Sequence, residues 1–146
     1  MFRISSILTC AALALSLGAA LSGPAAAQAQ SVTVNIPFDF SANDHKVPAG
    51  TYRISLQASR YLSFVDTQST KQYLMLVQPT WEQNSKDWGR LIFRQYGDSN
   101  YLYQVWMPGQ GAGRQFVRSR TEQETMRGLK SSSLAYVQLP TGPAQP

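Results

Sequence analysis

Cysteine is almost missing from this chain, and so is histidine. The single cysteine, Cys10, sits in an apolar leader, so the residues beyond it offer neither a disulfide nor a thiolate metal site. His45 is the only histidine, and it falls in a turn beside Asp44, where exposure to solvent is its expected state. No Gly-x-Ser-x-Gly elbow accompanies it, which leaves a Ser-His-Asp arrangement without its setting. Carboxylates are few and scattered. Asp98-Ser99-Asn100 is only a fragment of a calcium loop, and Glu122 and Glu124, two apart on a helix, diverge. The glycines of Gly109-x-Gly111-x-Gly113 lack the lysine of a phosphate-binding loop and the strand–helix context it needs. Dense basic tracts are missing too, which argues against nucleic acid as a partner. These gaps leave no catalytic residue, metal ligand set or cofactor site to assign. A hydrolase assembled from distant carboxylates such as Asp39, Asp66 and Glu82 is the least favoured reading.

What is present begins with an export leader. Arg3 supplies a positive start, residues 7–21 an apolar segment, Gly23-Pro24 a helix break, and Ala27-Gln28-Ala29 the small residues of a cleavage site. The apolar segment is shorter than the ~20 residues of a spanning helix. The expectation is therefore cleavage near Ala29, a mature chain starting at Gln30 or Gln28, and a protein in the periplasm or the medium that does not span the membrane. The expected organisation is a signal peptide over 1–29, one β domain over 30–139 and a Pro-rich disordered tail over 140–146. Without Arg3 the chain holds 12 basic and 8 acidic residues; residues 31–85 balance, and the net +4 lies from Lys86 onward. Such a bias suits an anionic envelope surface.

Beyond the leader the period is two. Val32, Val34, Ile36, Phe38 and Phe40 share one face over residues 31–40, against Thr33, Asn35, Pro37 and Asp39, which predicts a half-buried strand. Pro37 lacks a donor, so that strand belongs at an edge or carries a bulge. Residues 41–46 read as a turn, and strands are predicted over 51–56, 61–65, 72–78, 88–96, 101–106 and 134–139, with irregular stretches at 79–87 and 107–114, the latter mobile. Ser119-Arg120-Thr121-Glu122 is a capping box, so a short helix is predicted over 120–127, closed by Gly128. The fold class is mainly β: a single antiparallel barrel or sandwich of about seven strands, with one short helix before the last strand.

The run Val34-Asn35-Ile36-Pro37-Phe38-Asp39-Phe40, then Val47-Pro48-Ala49-Gly50-Thr51-Tyr52 and Gly89-Arg90-Leu91-Ile92-Phe93-Arg94-Gln95-Tyr96-Gly97, resembles a group of small exported proteins common in soil acidobacteria. The resemblance covers nearly the whole domain. It implies an exported β fold and carries over no functional residue.

Aromatics crowd the stretch from Trp81 to Trp106. Trp88, Ile92 and Tyr96 share a strand face with Arg90 and Arg94, while Tyr101 and Tyr103 lie on the next strand, opposed to Leu102 and Trp106. Trp88, Arg90, Arg94, Tyr96, Tyr101 and Tyr103 are accordingly the candidate ligand-binding residues, either as an exposed platform or as core filling beneath the helix. The leading expectation is an exported, non-catalytic β module with a binding or structural role in the envelope. The alternative is a β-barrel carrier of a small apolar or sugar ligand. The partner, an envelope polymer or a small ligand, is left open.

Overall fold

The computed structural model describes residues 30–82, 89–129 and 134–141. The expected leader, Trp88 and residues 142–146 of the expected tail lie outside them. Strand β1 (Ser31–Ile36) keeps the predicted alternation, with Val32, Val34 and Ile36 buried and Thr33 and Asn35 exposed. It lies at a sheet edge and stops at Ile36 instead of running on to Phe40, because Pro37 removes a donor and fixes the backbone angle. Phe38, expected in the core, is half-buried in the resulting bend. The turn expected over 41–46 is a hairpin: β2 (Phe40–Ala42) reverses at Asn43 and Asp44, with φ of 47° and 63°, into β3 (His45–Val47). His45 is exposed there, as expected.

A meander follows. β4 (Gly50–Gln57), β5 (Tyr61–Asp66) and β6 (Gln72–Leu76) pair antiparallel in sequence order. Asp66 closes the second turn by accepting from the Ser69 hydroxyl (2.5 Å) and the Gln68 N–H (2.9 Å), and these bonds hold its carboxyl below the usual carboxylate range. At Val77 the chain leaves this sheet, and β7 (Gln78–Trp81) joins a second one, so part of the stretch expected to be irregular is an edge strand. β8 (Arg90–Tyr96) and β9 (Ser99–Trp106) form a hairpin through Gly97, whose φ of 58° suits a residue without Cβ. β10 (Ala112–Gln115) is a strand where a mobile loop was expected. Helix α1 (Arg120–Gly128) and β11 (Leu134–Pro140) complete the described chain. Gly128 is the last helical residue and not a left-handed cap, since Leu129 after it is extended.

The first sheet has the order β1-β4-β5-β6, and the second β11-β8-β9-β10-β7. The second also carries β2, parallel to β9 through Ser41 and Tyr101, with β3 on its far side. The strand segments among the described residues number eleven, more than expected, one pairing is parallel, and neither sheet closes into a barrel. One apolar cluster draws on both sheets, with Ile54, Leu62 and Phe64 from the first and Leu91, Phe93, Leu102 and Val105 from the second. Phe40 stands between them, its ring 5.4 Å from Phe93, 6.3 Å from Phe64 and 6.2 Å from Tyr52. Each such side chain contributes roughly 1.5–3 kcal/mol by leaving water.

The β8–β9 ladder contains an irregularity that shapes the other face of the second sheet. Ile92 faces Gln104, yet Phe93 faces Leu102, so Tyr103 is an extra residue. The extra residue keeps both Leu91–Val105 and Phe93–Leu102 on the core side. It also resets the alternation, so that Trp106 joins Tyr101 on the outer face instead of opposing it.

Candidate functional site

Helix α1 lies against the outer face of the β8–β9 hairpin and is attached almost entirely by polar groups. Ser119 Oγ accepts from the Glu122 N–H at 3.1 Å, which is half of the predicted capping box. The reciprocal half is not formed. The Glu122 carboxylate instead turns inward, accepting from Arg94 Nη1 at 2.6 Å and from the Tyr96 hydroxyl at 3.0 Å. A charged donor outbids a neutral N–H for a carboxylate. Both ionic side chains are buried, at 6% and 4% exposure, so neither tolerates loss of its partner. Burial first, then the Glu122 charge, raises the Tyr96 phenol above its ordinary range. Tyr101 shares a hydrogen bond with Thr125 (2.7 Å). From the β2–β3 turn, Asp44 accepts from both the Thr121 hydroxyl (2.6 Å) and the Thr121 N–H (3.2 Å), which depress its carboxyl.

These contacts decide the exposure of the candidate residues. Arg94, Tyr96 and Tyr101 are buried under the helix at 4–5% exposure, so they form no open platform. Arg90 belongs to a separate packing unit: it pairs with Glu82 and lies 5.0 Å above the Trp106 ring, which in turn rests on Gly113. Trp88 lies outside the described residues. Tyr103 and Arg90 are half-buried, and Tyr103 and the buried Arg94 contribute to the same concavity.

That concavity is a groove of about 440 Å³ across the outer face of the second sheet. It takes one residue from each of five strands: Tyr136 from β11, Arg94 from β8, Tyr103 from β9, Gln115 from β10 and Gln78 from β7. Ladder register accounts for the row, since Tyr136 faces Arg94 and Gln115 faces both Gln104 and Gln78. Five strands at ~4.8 Å spacing span about 19 Å. The Arg94 guanidinium sits 4.0 Å from the centroid of the Tyr103 ring, and the Tyr103 and Tyr136 rings are 6.2 Å apart at 45°. Tyr136 is 55% exposed. Arg118, just ahead of the helix, forms part of the wall with 46% of its side chain exposed and reaches Glu122 only at 3.9 Å. Aromatic faces, amide groups and a half-exposed guanidinium in one trough provide stacking surface with hydrogen-bond donors and acceptors beside it.

Two other concavities flank the helix. A cleft of about 500 Å³ is bounded by Asp39, Lys46, Asn100 and Thr121; Asp39 there accepts from the Ala49 N–H and the Thr121 hydroxyl donates to Asp44, while Asn100 Oδ1 is buried without a hydrogen-bond partner. An apolar pocket of about 110 Å³ between Tyr96, Met126 and Leu134 falls well below the ~300–1,000 Å³ of small-molecule sites. Among the described residues no group of three or more His, Cys, Asp or Glu gathers as a metal site, and no helix is long and apolar enough to cross a membrane.

Sequence reasoning missed Tyr136, Gln78, Gln115 and Arg118. Only Tyr136 carried a signal, through the alternation of Leu134, Tyr136 and Gln138; the others reach the groove through pairings between distant segments. Compared with protein-family models, curated proteins and solved structures, the chain finds no match.

Proposed function

We propose that this protein is an exported, non-catalytic β-sandwich module that binds a polymer of the cell envelope along the groove of its second sheet. The observation that carries this reading is the row Tyr136–Arg94–Tyr103–Gln115–Gln78, which crosses five strands and opens to solvent. A trough about 19 Å long suits an extended chain better than a compact ligand, and its tyrosines offer flat apolar faces of the kind sugar rings stack on. Binding is favoured over catalysis because the buried carboxylate nearest the groove, Glu122, is already held by Arg94 and Tyr96, and because His45 stands on β3, away from the groove. The leader read from residues 1–29 supports export, and the resemblance to small exported acidobacterial proteins agrees with it.

Affinity electrophoresis against a panel of soluble polysaccharides tests the reading, using protein recovered from its host, whose first residue is expected to be Gln30. Tyr136→Ala should weaken retardation by about tenfold, as loss of a stacked ring does, with the melting temperature nearly unchanged because Tyr136 is exposed. Unaltered retardation by the variant, or none by the parent protein, removes the groove as the binding site.

A further inference from the structure

The charge of the groove narrows its ligand, on the premise that the groove is the binding site. Among the described residues, its wall contains two arginines, Arg94 and Arg118, and no aspartate or glutamate. The buried carboxylate of Glu122 stands behind this wall and is, among the described residues, the counter-charge paired with both. It is not shared equally. Arg94 takes it at 2.6 Å, points a second nitrogen at the Phe116 carbonyl at 3.5 Å, and sits over the Tyr103 ring with its guanidinium carbon 4.0 Å from the centroid. Arg118 approaches the same oxygen only at 3.9 Å, while nearly half of its side chain remains in solvent. Two cations against one anion leave an excess positive charge, and it resides on the guanidinium that faces outward. Arg94 is thereby a fixed positive floor, and Arg118 is the donor available to an incoming group.

We infer that the groove takes an acidic polysaccharide, a chain of carboxylate-bearing sugars, with one carboxylate received by Arg118 and the adjoining rings stacked on Tyr136 and Tyr103. The planar guanidinium presents parallel N–H donors that match a carboxylate. Gln78 and Gln115 supply amides for the hydroxyls of the neighbouring sugars. A bilayer surface fits less well, because the receiving groups line a trough rather than stand on a convex face. A nucleic acid fits less well too, because one outward arginine neutralises one phosphate where strong binding draws on several.

The test compares three probes on the purified protein by titration calorimetry: polygalacturonate, the same polymer fully methyl-esterified, and a neutral β-glucan. Polygalacturonate should bind at least about tenfold more tightly than its ester, the size expected for a charge-assisted hydrogen bond. Arg118→Gln should bring the acid form down to the level of the ester without moving the melting temperature. Equal binding of acid and ester, both weakened by Tyr136→Ala, overturns the acidic ligand and leaves the groove standing. Retained preference for the acid form in Arg118→Gln overturns the role given to Arg118. Absence of binding to all three probes, with Tyr136→Ala no different from the parent, overturns the groove itself.

Discussion

A Cβ built on Gly113 would stand 2.7 Å from the indole of Trp106, closer than any real contact allows. The indole cannot retreat easily. Its other partners are the Arg90 guanidinium at 5.0 Å and the Gln104 side-chain oxygen, which accepts its N–H at 3.2 Å, and the residue is 3% exposed. Gly113→Ala should therefore destabilise the fold by about 1–3 kcal/mol as an overpacking change, with a shifted tryptophan emission because the ring must move. Gly111→Ala, with open space at its Cβ, should do neither; equal effects at the two positions, measured by urea unfolding, would show that Trp106 does not pin the strand. In sequence the three glycines of this stretch look alike. What separates them is a tryptophan brought close by the β9–β10 pairing, which local composition does not encode. The same limit applied to Arg94 and Tyr96: their strand face was readable, but the carboxylate that covers them came from a residue assigned to a cap.

At the scale of elements, punctuation was more legible than pairing. The Asn-Asp turn, the glycine turn before β9 and the start of α1 all follow from residues within a few positions, whereas the strand expected over 31–40 was read past its proline, where β1 ends. β7 and β10 were missed because each is short and owes its strand geometry to a partner some thirty residues away. Helix α1 illustrates a different dependence. Met126 is its only large apolar side chain and is 40% exposed, so hydrogen bonds and one buried ion pair hold the helix in place. Asp44 is the member of this set with a clear pH signature. Its carboxyl is held below the usual range chiefly by the Thr121 hydroxyl and then by the Thr121 N–H. A depressed acid favours the folded state while ionised, so its contribution is full above the unfolded pKa of about 4 and is lost as pH falls through the lower folded value. The urea midpoint should fall more steeply between about pH 5 and pH 2 in the parent than in Asp44→Asn, which keeps an acceptor without the charge. Parallel decline in the two proteins would mean that Asp44 does not couple the hairpin to the helix.

For the molecule as a whole, the alternating pattern and the turn spacing conveyed a mainly β fold, whereas the division into two open sheets depended on where the chain changes sheet. Those crossings sit at residues 37–39, between β1 and β2, at residues 48–49, between β3 and β4, and at Val77, between β6 and β7; a proline marks the first two as breaks, but none of the three encodes which sheet the next strand joins. Because Phe40 contacts Tyr52 and Phe64 on one side and Phe93 on the other, the two sheets have no separate cores to lose. Unfolding should then be a single cooperative transition. The tryptophans make this measurable. The chain has three, Trp81, Trp88 and Trp106; among the described residues, Trp81 and Trp106 belong to the second sheet and none lies in the first. Tryptophan emission therefore reports on the second sheet, while far-ultraviolet circular dichroism reports on both. Phe64→Ala removes a fully buried ring from β5, in the first sheet, and should cost about 3–5 kcal/mol. If the core is shared, the emission midpoint should drop by the same amount as the dichroism midpoint, although no described tryptophan belongs to a strand of the first sheet. An emission transition that stays at its parental midpoint while the dichroism splits into two steps would show that the sheets unfold separately.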